Sequence, residues 1–177
     1  MTSPALKLET RRAAIASALA DHVLANGLAA ASLRPLAKAA GISDRMLLYY
    51  FKDKAEIISA ALETIAARQM ALMDAVAGPP LPLPELRQRL ADRLLDDDAW
   101  PTMRVWLEVA ALAAQGDAVF AAIGERIGRG FLAWGASQLA CETPEQRAIN
   151  AAQLLTSFEG MVVLKAIGMG DVARLAV

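Results

Sequence analysis

Few residues in this chain can carry redox or metal chemistry. Cysteine occurs once, at Cys141, and histidine once, at His22, in 177 residues. One cysteine excludes a disulfide framework within the chain and a cysteine-based metal centre. With His22 alone there is no Ser-His-Asp set and no histidine cluster, so neither an enzyme nor a resident metal or cofactor is expected. Aromatic side chains make up 5% of the sequence and β-branched runs are almost absent, which argues against a sheet-built core. Uncharged stretches such as residues 130–141 fall well short of the ~20 apolar residues that a membrane span needs. Lys7, Glu9, Arg11 and Arg12 stand where a secretory leader would place its apolar segment. The expectation is a soluble, cytoplasmic protein with no membrane partner.

What is abundant is alanine, within a composition that is 56% hydrophobic. Alanine forms helix readily and adds little bulk, so an all-α fold is expected. The net charge of −1 hides an uneven distribution. Residues 1–54 hold eight Lys/Arg against four Asp/Glu, whereas residues 55–177 hold ten against fifteen. A basic head on an acidic body points to a polyanion as the partner of the head.

Helix signals divide the chain. Leu8, Ile15, Leu19 and Val23 repeat at helical spacing over residues 5–26, and Asn26-Gly27 closes that helix. Ser32 is placed to cap a second, short helix, with Pro35 tolerated in its first turn. Ser43 caps a third that reaches about Tyr50. Asp53, with Glu56 three residues on, forms a capping box for a long fourth helix whose apolar side carries Ile58, Leu62, Ile65, Leu72 and Val76. The linker Gly78–Pro84 follows. Further helices are expected near 84–97, 101–115, 117–140 and 144–168, with a short one at the tail. Gly116-Asp117 and Thr143-Pro144-Glu145-Gln146 mark two of the restarts. Asp96-Asp97-Asp98 would oppose the dipole at a helix end and is expected in an exposed loop.

The segment from Ser32 to Lys54 gathers five Lys/Arg and both tyrosines. Leu33–Ala40, the turn Gly41-Ile42-Ser43 and Asp44–Tyr50 have helix-turn-helix spacing. Ala37 sits where two helices approach most closely, and Gly41 where positive φ is required. Leu36, Ile42 and Leu47 fall at buried positions. The second short helix would enter a major groove by its N-terminal part, presenting Asp44, Arg45, Met46 and Tyr49. Ser32, Arg34, Lys38, Ser43, Tyr50 and Lys54 complete the expected DNA-binding set. Of these, Lys38, Lys54 and the hydroxyls of Ser43 and Tyr50 suit phosphates, and Arg45 suits guanine. Arg11 and Arg12 are further candidates for the backbone or minor groove.

The combination Ser32, Leu36-Ala37, Ala40-Gly41-Ile42-Ser43, Leu47, Tyr50-Phe51 and Lys54 resembles the DNA-binding segment of the TetR family of bacterial transcriptional regulators. The clear match covers about residues 10–60. Leu48 stands where that family usually has a phosphate-contacting tyrosine, which makes Tyr49 the candidate replacement. Arg45-Met46 replaces the frequent Gly-Thr/Ser pair. The resemblance implies an N-terminal three-helix helix-turn-helix DNA-binding domain, residues 1–53, and a C-terminal helical domain, residues 54–177, for effector binding and dimerisation. It further implies a homodimer on a palindromic double-stranded operator, released by a small-molecule effector.

Most large aromatics lie past residue 99. Trp100, Met103, Trp106, Leu107, Phe120, Phe131, Trp134, Phe158 and Met161 are candidates to line an apolar effector pocket. Their alternative role is plain core. Arg104, Glu108 and Glu159 lie among them, placed either to orient a polar group or to face solvent. Gly124, Gly128, Gly135 and Gly160 dot the last two long helices. Glycine costs ~1 kcal/mol there relative to alanine, so close helix packing is the expected compensation. In the family those two helices build the dimer interface. "GERIGRG" lies on a helical stretch with no strand before it and is not a phosphate cradle. The competing reading is a helical adaptor that binds a protein partner without specific DNA recognition.

Overall fold

The computed structural model describes residues 4–75 and 78–177. Val76 lies outside the described residues. Helices in chain order are α1 (Pro4–Asn26), α2 (Leu33–Ala39), α3 (Asp44–Tyr50), α4 (Lys54–Asp74) and α5 (Leu83–Leu94). They are followed by α6 (Trp100–Ala114), α7 (Ala118–Ser137), α8 (Pro144–Ala166) and α9 (Gly170–Leu175). The described residues contain no strand, only an isolated bridge between Leu81 and Leu139. The fold is all-α. Contacts group the chain into two units, one ending at Gln69 and the other beginning at Met70. That division falls inside α4, whereas the functional division expected from the sequence precedes it.

The first unit is built on Ile15, Leu19 and Val23 of α1, Leu36 and Ala37 of α2, Leu47 of α3, and Ile57, Ile58, Leu62 and Ile65 of α4, all buried. Leu8 and Leu72, expected on apolar faces, are exposed. Leu8 belongs to the start of α1, where residues 6–14 are all exposed. Ile42 is half-buried, so the turn presses less deeply into the core than Leu36 and Leu47 do. Gly41 has φ +66°, a conformation an L side chain rarely adopts, and Ile42 N–H returns to the carbonyl of Ala37 at 3.0 Å. These two features set the sharp turn between α2 and α3.

The starts of α2, α3 and α4 differ in how they are capped. Ser43 Oγ accepts from Met46 N–H at 3.2 Å, a true cap. Ser32 occupies the corresponding position on α2, yet its hydroxyl makes no cap bond. At α4 the Asp53 carboxylate accepts from Glu56 N–H at 2.9 Å. The Glu56 carboxylate takes the N–H of Lys52 at 2.6 Å, one residue before the partner a standard capping box would supply.

In the second unit α8 packs against α5, α6, α7 and α9. Two expected helices end early, each for a long-range reason. α5 stops at Leu94 because Lys165 Nζ takes up the carbonyls of Leu95 at 2.7 Å and Asp96 at 3.1 Å, and also pairs with Asp97 at 3.1 Å. The three aspartates therefore lie past the helix end, in the exposed turn expected of them. α7 stops at Ser137 because the linker residue Leu81 bonds to the Gln138 carbonyl and the Ala140 N–H, both at 2.8 Å. Arg147 gathers the carbonyls of Leu139 at 2.7 Å and Ala136 at 3.1 Å from the other side. No described helix is long and apolar enough to cross a membrane.

Candidate nucleic-acid interface and effector cleft

In the first unit, α2 packs on α1 and α3, and side chains tie α4 to α1. Arg12 pairs with Glu56, and its guanidinium lies 4.9 Å from the centre of the Phe51 ring. Arg68 holds α4 to α1 through Asp21 at 2.6 Å and Ser17 Oγ at 2.7 Å. Arg12 thus supports the α4 start while its side chain stays 46% exposed. Arg11 remains exposed.

On that scaffold Ser32, Arg34, Lys38, Ser43, Asp44, Arg45, Met46, Tyr49 and Lys54 are all exposed, and Tyr50 is half-buried. Leu47 is fully buried and fixes which face of α3 is turned inward. Tyr49, 71% exposed, sets its ring edge-on to that of Tyr50, with centroids 5.3 Å apart. Leu48 is also exposed. Lys54 is the first residue of α4, where the carboxylates of Asp53 and Glu56 offset the positive end of the helix dipole. A phosphate there would rely on the Lys54 side chain. A short exposed helix with exposed cations before, on and after it in sequence can offer cations to phosphates and side chains to base edges.

In the second unit, Met73, Leu90, Phe131, Trp134, Gly135, Ala151, Leu154, Leu155 and Phe158 line a cleft holding about 310 Å³ of empty space, part of it open to solvent. The rings of Phe131 and Phe158 stack with centroids 6.0 Å apart. Only three of the nine expected lining residues, Phe131, Trp134 and Phe158, reach this cleft. Met103 is buried in the same apolar cluster, with Trp100 and Leu107 packed against it, so these three are core beside the cleft. Met161 belongs to a separate cluster with Ala91, Leu95 and Ala173. Phe120 is half-buried on α7 and lines no part of the cleft. Trp106 Nε1 donates to Glu159 Oε2 at 2.8 Å, so both side chains are engaged with each other. Burial raises the Glu159 carboxyl above its ordinary value of 4.5, opposed by the Trp106 hydrogen bond.

The cleft residues missed in the sequence are mostly aliphatic: Met73, Leu90, Leu154 and Leu155. Their signal is helical spacing alone, which does not separate pocket from core. Of the four glycines, Gly135 is buried, and a Cβ there would stand 3.2 Å from Leu154 Cδ2. A Cβ on Gly124 would make only ordinary contact, 3.6 Å from Val109, and Gly128 and Gly160 face open space. Close packing within one chain therefore accounts for Gly135 only.

Comparison with known proteins matches residues 15–61 to the model of the bacterial regulatory proteins of the tetR family. No curated protein sequence matches the chain. Among solved structures, a transcriptional regulator from Rhodococcus sp. Rha1 is similar, with a TM-score of 0.69 and 24% identity over 93% of this chain and 90% of that one. A protein from Rhodococcus sp. described as a TetR-family transcriptional regulator gives 0.70 and 21% over 94% and 93%. A transcriptional regulator from Streptomyces coelicolor A3(2) gives 0.68 and 22% over 86% and 85%. These likenesses establish the fold over nearly the whole chain.

Proposed function

We propose that the chain, whose residues 15–61 match the tetR family of bacterial regulatory proteins, is a dimeric repressor released from a palindromic operator by a small, apolar effector. The observation that carries the DNA part is the exposed face of α3, with Arg45 and Tyr49 outermost and Arg34, Lys38 and Lys54 exposed around it. In this reading residues 1–53 read DNA and residues 54–177 bind effector and partner copy.

Support for the dimer comes from α8. Ile149, Ala152, Thr156, Gly160, Val163 and Ile167 follow helical spacing and are all exposed. Such a row of small and apolar side chains suits close packing against a second copy. A two-fold pair would place two α3 helices in successive major grooves, ~34–36 Å apart or a multiple of that.

Support for the effector comes from the cleft, whose lining carries no charged side chain. The enclosed space is only about 20 Å³, room for about one water molecule, so an effector would have to open the cleft further. The apolar lining suits a small, uncharged effector that opens the cleft beside Phe131 and Phe158. Release would be a population shift: ligand favours a conformation in which α4 carries the DNA-reading helices out of half-site spacing.

The test is selection of random duplexes by the purified protein, followed by a salt titration on the enriched sequence. A palindromic consensus with steep salt dependence is expected. Flat binding across sequences would overturn the reading in favour of a protein-binding adaptor. Effectors are then found as small aromatics that raise the melting temperature, since a ligand at 100 times its Kd adds ~2.7 kcal/mol.

A further inference from the structure

We infer that Met46 and Tyr49 read the 5-methyl groups of thymines in the half-site, beside the base that Arg45 contacts. The inference rests on the DNA-binding reading above and adds which bases the operator must contain. Successive residues on a helix are turned by ~100°. With Leu47 buried, Arg45 and Tyr49 share the outermost line of α3, four residues apart, and Met46 flanks them on the Tyr49 side. Of the five exposed large apolar side chains described up to Gln69, three (Met46, Leu48 and Tyr49) lie on this seven-residue helix. Single exposed apolar residues need no explanation, but a cluster on one short projecting helix does.

The surroundings choose the occupant. Arg34, Lys38, Arg45 and Lys54 are exposed, within residues 1–54, which hold twice as many Lys/Arg as Asp/Glu. An apolar protein surface would have to bring anions on every side; a duplex brings them as phosphates. Within the major groove the thymine C5-methyl is the apolar feature that base pairs present. Met46, unbranched and flexible, can settle over such a methyl. The Tyr49 ring, 71% exposed, packs at right angles to Tyr50 and offers apolar surface beside Met46. Arg45 supplies the polar contact, to guanine N7 and O6.

The experiment replaces, one at a time, each thymine of the duplex enriched from the random pool by deoxyuridine, which deletes the methyl group and keeps the base pair. Binding is expected to weaken about fourfold at one or two positions per half-site, the ratio for losing burial of roughly one methylene equivalent. Met46→Ala or Tyr49→Ala should abolish the penalty at its own position, with the other penalty retained. Both residues are exposed, so the variants are expected to fold, which far-ultraviolet circular dichroism checks. An enriched operator on which no uracil matters, or on which both variants keep every penalty, would overturn the inference and leave the DNA-binding reading standing. Failure to enrich any duplex would overturn both.

Discussion

The indole Nε1 of Trp134 donates to Asp74 Oδ1 at 2.7 Å. Trp134 lines the apolar cleft, and Asp74 is the last residue of α4. The bond therefore joins the wall of the cleft to the end of the helix whose other end follows the DNA-reading segment. A ligand that displaces the Trp134 ring would release or pull on Asp74.

Trp134→Phe keeps an aromatic wall and deletes the donor. A hydrogen bond to a charged group is worth ~1.5–3 kcal/mol, and because Asp74 is exposed a loss of about 1 kcal/mol is expected. In a chain of this size that lowers Tm by about 2–4 °C. DNA affinity without effector should hardly change, whereas the effector should lose most of its influence on DNA binding. A variant that responds to effector like the parent would show that Trp134 and Asp74 do not couple the two activities.

Ser43 and Ser32 occupy equivalent positions before α3 and α2, but only Ser43 makes the cap bond. Ser43→Ala should cost about 1 kcal/mol in urea unfolding. Ser32→Ala should leave stability within the usual surface range of about 0.5 kcal/mol. Equal losses would contradict the difference in capping.

Variants of Lys54 and Arg45 are expected to separate affinity from specificity. Lys54→Ala should weaken binding to all duplexes alike and reduce the salt slope by about 1 per half-site. Arg45→Ala should flatten base preference at one position, a discrimination of ~1–3 kcal/mol. Uniform losses from Arg45→Ala on every sequence would reassign it to the phosphates.

Glu159 gives a pH signature. Its folded-state carboxyl is raised above 4.5 because burial disfavours the anion, with the Trp106 bond working in the opposite direction. A raised acid contributes stability that is fully present below the unfolded value and is lost as pH rises through the folded value. Glu159→Gln can still accept from Trp106 Nε1 and never becomes an anion. The variant should therefore melt higher than the parent at neutral pH, with the difference closing as pH falls below about 4.5. A difference that is constant with pH would remove the ionisation from the explanation.

Much of the fold was legible because its punctuation is local. Gly41, Ser43, Gly116-Asp117 and Thr143 stop and start helices through their own backbone preferences or side-chain caps, and each stands where the sequence places it. What was not legible depends on partners far along the chain. Lys165 ends α5 from 70 residues away, and Leu81 ends α7 from across the linker. Nothing near Arg12 in sequence announces its contacts with Phe51 and Glu56, some forty residues on. The cleft shows the same limit: Phe131, Trp134 and Phe158 stand out as aromatics, but Leu90 and Leu154 carry no mark that distinguishes a cavity wall from a packed core.

The exposed row on α8 leads to the last prediction. Val163 is 46% exposed and stands beside Gly160, which has open space where a side chain would be. In a monomer, a charge at position 163 would sit in water and leave stability nearly unchanged. In a dimer packed through α8, Val163→Glu would bury two carboxylates near the two-fold axis, each lacking a partner, at a cost of several kcal/mol. The variant is expected to raise the dimer dissociation constant roughly a hundredfold or more, measured by sedimentation equilibrium. It should weaken operator binding in parallel, because one α3 alone reads only half a palindrome. An unchanged dimer with a Glu at position 163 would place the contact between copies on a different face.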